Sequence, residues 1–99
     1  MSYRIRYTRQ AKEDLERLYR FMLELDLGAA LRAKRTILNS MAVLREFPFV
    51  CRKAQPDNPF LRELVISFGS TGYVALFEIE DSSTVTVLAL RHQREDDFR

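Results

Sequence analysis

Hydrophobic positions change their spacing along the chain, and the changes mark its elements. At the start Tyr3, Ile5 and Tyr7 alternate with Arg4, Arg6 and Thr8, which predicts a short strand with one apolar face. Thr8 then stands where a helix N-cap belongs. From Arg9 to Asp26 the apolar residues Ala11, Leu15, Leu18, Tyr19, Met22 and Leu25 recur at helical steps, which predicts an amphipathic helix. Glu13–Arg17 and Glu16–Arg20 have the i,i+4 spacing of ion pairs on its wet side. Gly28 is expected to end this helix or form the turn after it. A second helix is expected from Ala29 to Phe47, with one stripe of Ala30, Ala33, Ile37, Met41 and Leu44 and another of Leu31, Leu38 and Ala42. Two stripes imply contact with both the sheet and the first helix, and the early alanines permit a close approach. Pro48 stops the helix.

Phe49 to Pro59 reads as a loop, punctuated by Pro56, Asp57, Asn58 and Pro59. Beyond it the period is two. Strands are expected at Phe60–Phe68, Tyr73–Glu80 and Thr84–Leu90, joined by turns at Gly69–Gly72 and Asp81–Ser83. The middle one is apolar on both faces in its first half, as a central strand should be. Short connections make these strands an antiparallel meander. The order β-α-α-β-β-β predicts an α+β fold, a helical hairpin packed on an antiparallel-rich sheet, in one domain spanning residues 1–99. Pattern alone does not say which strand neighbours the first.

Composition narrows the class. Apolar residues make up 46% and charged residues 30%, too apolar a balance for disorder. No stretch approaches the ~20 apolar residues of a membrane span. The alternating Met1–Arg6 segment lacks a signal-peptide core, and the one cysteine, Cys51, has no internal disulfide partner, so a cytoplasmic protein is expected. Net charge is only +2, yet 13 of the 16 basic residues are Arg. Their planar forks suit phosphates or an acidic partner, while the low net charge argues against a DNA-coating protein. One His and one Cys exclude a CxxC pair or a His-rich zinc site, and there is no glycine-rich phosphate loop, so neither metal nor cofactor is expected.

Four features bear on chemistry. Arg62 shares a strand face with Leu64, Ile66 and Phe68, where it either snorkels past the sheet edge or contacts an anion. Arg91 and His92 close the last strand. Simple alternation groups Arg91 with Val85, Val87 and Ala89, and His92 with Leu88 and Leu90. His92 is either a proton carrier or a structural side chain at a strand end. The run Glu95-Asp96-Asp97 reads as a solvated tail or a screen for Arg91 and Arg94. Cys51 reads as a partly buried small residue.

Several phrases carry a resemblance. "YTRQAKEDLERLYRF", with Ala11, Asp14 and Leu15, "LREFP" at Leu44–Pro48, "LRELVISFGSTGYVALFEIE", with Arg62-Glu63-Leu64, and "VTVLALRHQRED" come in an order and spacing similar to the RelE/ParE family of type II toxin–antitoxin toxins. The resemblance spans nearly the whole chain. It implies a toxin that a cognate antitoxin wraps and neutralises in a hetero-oligomer. RelE-like members cut mRNA in the ribosome; ParE-like members inhibit DNA gyrase by trapping its cleaved-DNA complex and do no chemistry themselves. Ribonuclease members often carry an Arg early in the third strand, where this chain has Tyr73. "LALRHQRE" is closer to the ParE-like branch. The expected function is therefore gyrase inhibition, with Arg62, Tyr73, Arg91, His92 and Arg94 meeting the target. Tyr19, Met22 and Met41 are expected to meet the antitoxin. Two alternatives stand beside it. One is mRNA cleavage on the ribosome by Arg62, Arg91 and His92; the other is a decayed, non-toxic scaffold.

Overall fold

The computed structural model describes residues 2–95. The chain runs β1 (Arg4–Tyr7), α1 (Arg9–Leu25), α2 (Leu27–Ser40), α3 (Ala42–Glu46), a 3-10 turn (Pro48–Val50), β2 (Arg52–Gln55), β3 (Asn58–Phe68), β4 (Thr71–Ile79) and β5 (Thr84–His92). The expected α+β hairpin-on-sheet architecture is present. Asp96 and Asp97 of the expected acidic run, and the other tail residues to Arg99, lie outside the described residues.

The sheet order is β1-β5-β4-β3-β2, with β4 central as its two-faced hydrophobicity requires. β2 to β5 are antiparallel neighbours, whereas β1 lies parallel to β5, Arg4 opposite Thr84 and Tyr7 opposite Val87. The helices cover one face. Phe77, Ile37, Leu44, Ile66, Leu90, Val85 and Val87 are fully enclosed between them and the sheet. Ala11, Ala30 and Ala33 are buried too, and small side chains there let the backbones approach closely.

Three local features depart from the simple pattern, each for a physical reason. Asp26 ends α1 and caps α2, its carboxylate accepting from the Gly28 and Ala29 N–H groups at 3.2 and 3.3 Å. Gly28 therefore sits in the first turn of α2 and does not close α1. The expected single second helix is broken at Met41, after Asn39 and Ser40, both weak helix formers. The Ser40 hydroxyl donates to the Thr36 carbonyl at 2.8 Å, and the Met41 N–H bonds back to Leu38 at 3.2 Å, tightening the turn. Leu31 and Leu38 of the second stripe are exposed, although α2 contacts both α1 and β3 as expected.

The expected loop at residues 49–59 holds an edge strand, β2, and the start of β3, turned at Pro56-Asp57. Arg52-Lys53-Ala54-Gln55 shows no alternation because it buries almost nothing, and a charged edge resists pairing with other chains.

β5 carries a bulge. Val87 faces Phe77 and Ala89 faces Leu76, so Leu88 is an extra residue. An extra residue inverts the parity beyond it. Val85, Val87, Leu90 and His92 therefore turn toward the helices, while Arg91 pairs with Val74 on the open face. The simple grouping of Arg91 with Val85 and Val87 is thereby corrected. The start of α1 locks the bulge: Thr8 Oγ1 donates to the Leu88 carbonyl at 2.9 Å and accepts from the Ala11 N–H at 3.1 Å, the expected N-cap.

The β3–β4 turn needs both of its glycines. Gly69 has φ +63°, as the first central residue of a tight hairpin turn requires. At Gly72 an added Cβ would collide with the Ile66 carbonyl oxygen across the hairpin. Gly72→Ala should therefore cost about 2 kcal/mol through forced backbone displacement. Urea denaturation measures it, and a loss within the roughly 0.5 kcal/mol of a neutral surface change would show that the hairpin absorbs the methyl.

Candidate interaction site at the end of the sheet

The last turn of β5, the start of β4 and the second half of α1 converge on a cleft of about 540 Å³. Leu18, Phe21, Met22 and Leu25 of α1 form one wall; Tyr73 and His92 form the other. Phe21 and Leu25 are 61% and 68% exposed, an unusual presentation of large apolar side chains. Tyr73 and His92 pair across β4 and β5 with their rings edge to face, 5.5 Å between centroids. Phe68 backs Tyr73 at 6.2 Å. Burial pushes the Tyr73 phenol up from its ordinary value, so it stays neutral in the physiological range.

Both ring nitrogens of His92 are engaged. Nδ1 accepts the Arg94 N–H at 3.1 Å, which places the proton of the neutral ring on Nε2. Nε2 lies 3.1 Å from Thr71 Oγ1 and donates to it. The residues after β5 then fold back over α1. The Gln93 N–H donates to the Gly72 carbonyl at 2.9 Å. Glu95 accepts the His92 N–H at 2.7 Å and the Arg17 guanidinium at 2.6 Å. Arg17, spaced to pair with Glu13, is thus turned to Glu95 and to Asp14, 3.7 Å away.

The five residues expected at the target surface divide. Tyr73, His92 and Arg94 come together at the cleft. Arg91 projects from the open face, with Nη1 near the His92, Gln93 and Glu95 carbonyls at 3.3 to 3.5 Å. Arg62 lies elsewhere: it opposes Phe77, four positions along β4 from the Tyr73–His92 pair and roughly 13 Å along the strand. Its guanidinium donates to the carbonyls of Pro59, Phe49 and Cys51 at 2.7, 3.0 and 2.6 Å and lies over the Phe49 ring. Arg62, Arg91 and His92, the residues of the mRNA-cleavage alternative, are therefore not brought together by the register. Of the residues expected to meet an antitoxin, Met22 lines the cleft, Tyr19 is half-buried under the Lys34 ammonium, and Met41 lies in the core. Burial raises the Cys51 thiol above its ordinary value, with Arg62 opposing, so it carries little thiolate. No group of three or more His, Cys, Asp or Glu among the described residues is placed to hold a metal ion. No described helix is long and apolar enough to cross a membrane.

The model of the ParE toxin of type II toxin–antitoxin systems, parDE, matches residues 5–97. The chain belongs to the ParE toxin family. Among solved structures it is similar to a chain of the chromosomal ParDE system from P. aeruginosa, with TM-score 0.73 and 20% identity over 92% of this chain and 96% of that one. It is also similar to a chain of the toxin–antitoxin complex RelBE2 from Mycobacterium tuberculosis, with TM-score 0.58 and 21% identity over 96% and 95%. At these identities the likeness is one of fold. No curated protein matches significantly.

In this ParE-family chain, Arg17, Thr71 and Glu95 hold the site and were not legible as site residues. Glu95 was one residue of an acidic tail, and only the fold brings it to Arg17, which is 78 positions away. Burial pushes the Glu95 carboxyl up, but the His92 N–H and the Arg17 guanidinium outweigh it and hold the group below its usual value. A carboxyl lowered on folding contributes stability above its unfolded value, about 4.3, and loses it as pH falls through the lower folded value. Because Glu95 is 39% exposed, screening limits that contribution to about 0.5 kcal/mol. Glu95→Gln at neutral pH should speed amide exchange at His92 while the β3 and β4 amides stay protected. Unchanged exchange at His92 would mean that Glu95 does not hold the turn.

Proposed function

We propose that this chain is the toxin of a type II toxin–antitoxin pair, that it inhibits DNA gyrase by binding, and that a cognate antitoxin neutralises it in a cytoplasmic hetero-oligomer. One observation carries the binding reading. The only histidine has both ring nitrogens engaged within the chain, and the register holds it away from Arg62. Cleavage of RNA needs a base, an acid and a phosphate-binding cation converging on one phosphodiester. Arg62, Arg91 and His92 do not form that group: Arg62 is tied to carbonyls and Arg91 faces the other side of the sheet. A His whose two ring nitrogens are bonded to Thr71 and to the Arg94 N–H serves better as a contact and a spacer. The similar structures belong to a ParDE system and to a toxin–antitoxin complex, which supports an antitoxin partner for this chain as well. The apolar wall of Phe21, Met22 and Leu25 is suited to an amphipathic segment of that partner.

The test is supercoiling. Purified chain added to gyrase, relaxed plasmid and ATP should block supercoiling at micromolar concentration, and pre-mixing with the antitoxin should restore it. Folded chain that leaves supercoiling untouched would overturn the gyrase reading.

A further inference from the structure

A second groove, of about 630 Å³, opens at the far end of the sheet from His92. One wall is aromatic. Phe49, in the 3-10 turn, and Phe60, early in β3, meet edge to face at 6.1 Å, and remain 47% and 50% exposed. Tyr3 closes the groove from the β1 side. The other wall is acidic, formed by Glu78 at the end of β4 and by Glu80 and Asp81 at the turn into β5. Among the described residues no Lys or Arg lines it, though Arg6 approaches Glu80 from outside the groove at 3.9 Å and the Thr86 hydroxyl donates to the same carboxylate. Two half-exposed phenyl rings that share a groove with the Glu78 and Asp81 carboxylates make a place where an aliphatic stem ending in a cation gains twice: its methylenes pack on the rings, and its charge meets the carboxylates. The chain already uses one part of this chemistry, since Arg62 lies 5.2 Å over the face of Phe49. Asp81 is held ionised by the Ser83 N–H and hydroxyl, at 2.8 and 3.0 Å.

We infer that this groove docks a segment of a partner protein in which a Lys or Arg alternates with apolar residues. The charge pattern selects that occupant. An acidic segment would be repelled by Glu78 and Asp81, and a purely apolar one would leave those carboxylates facing low-dielectric surface. The surface is separate from the cleft at His92, so a partner there and a partner here can be held together.

The experiment uses the full chain, 15N-labelled, titrated with a synthetic peptide of alternating leucine and arginine and with its leucine–glutamate counterpart. The basic peptide should shift the amides of Phe60, Ile79 and Asp81, with affinity falling as salt rises. The double variant Glu78→Gln with Asp81→Asn, which keeps the turn's hydrogen-bond acceptor, should weaken binding roughly fivefold, and Phe60→Ala by a similar factor. Equal binding of the two peptides, shifts confined to the His92 end, or no binding at millimolar peptide would overturn the proposal. So would concentration-dependent shifts of the same amides without peptide, which would assign the groove to a second copy of the chain. Peptide binding is read without gyrase or antitoxin, so its failure is distinct from failure of the toxin reading.

Discussion

Asp14→Ala is expected to cost about 2–4 kcal/mol of folding stability, far more than a polar residue on an amphipathic helix would ordinarily lose. β1 ends at Tyr7, opposite Val87, but β5 continues to His92. The edge of β5 beyond the bulge thus has no strand beside it, and α1 takes the strand's place. Asp14, 8% exposed, accepts the Leu90 N–H at 2.9 Å on one oxygen and the Gln10 amide at 3.0 Å on the other. Arg17 reaches the Leu90 carbonyl at 3.4 Å. Removing the carboxylate leaves a buried N–H with nothing to bond, which costs more than the bond itself contributes. Asp14→Asn retains an acceptor and should cost about 1 kcal/mol. Chemical denaturation gives both values. The alanine variant should also speed exchange of the Leu90 amide. If Asp14→Ala loses no more than about 0.5 kcal/mol, the helix is not substituting for a strand.

Arg94→Glu should leave folding unchanged and weaken gyrase inhibition by tenfold or more, a change of about 1.4 kcal/mol in binding. Arg94 is exposed, and its fixed role inside the chain belongs to its backbone N–H, which donates to His92 whatever the side chain. The residue lines the cleft together with exposed Phe21 and Leu25. Reversing a rim charge changes association with a complementary partner without disturbing the core. Comparing supercoiling inhibition by the native and Arg94→Glu chains, with circular dichroism as the folding control, checks both halves. Equal inhibition would remove Arg94 from the target surface.

Much of the fold could be read in the sequence because its elements bury something in a regular pattern. Thr8 as a cap, α1 as an amphipathic helix and β4 as the central strand all announce themselves through spacing. Elements that bury little do not. β2 is a charged edge, and its four residues look like a loop. Irregularities of one residue also escape pattern reading. The bulge at Leu88 reverses which face every later residue occupies, so His92 turns toward the helices and Arg91 toward the open face. At the site, His92 was visible as a strand-end residue of suitable chemistry, Arg94 as part of the basic tail after it, and Tyr73 through the family resemblance. Thr71, Glu95 and Arg17 were not, because hydrogen bonds between residues far apart in sequence follow from register and helix placement. The family resemblance supplied what pattern could not, and the match over residues 5–97 bears it out.

Trapping of cleaved DNA tests the central claim, action on gyrase by binding, most directly. Gyrase, plasmid, ATP and the folded chain are incubated together and the enzyme is then denatured. Linear DNA that accumulates in proportion to the chain, with no cuts in mRNA on translating ribosomes, is the result predicted. Plasmid left intact at micromolar chain, with codon-register cuts in the mRNA that His92→Ala abolishes, would contradict it.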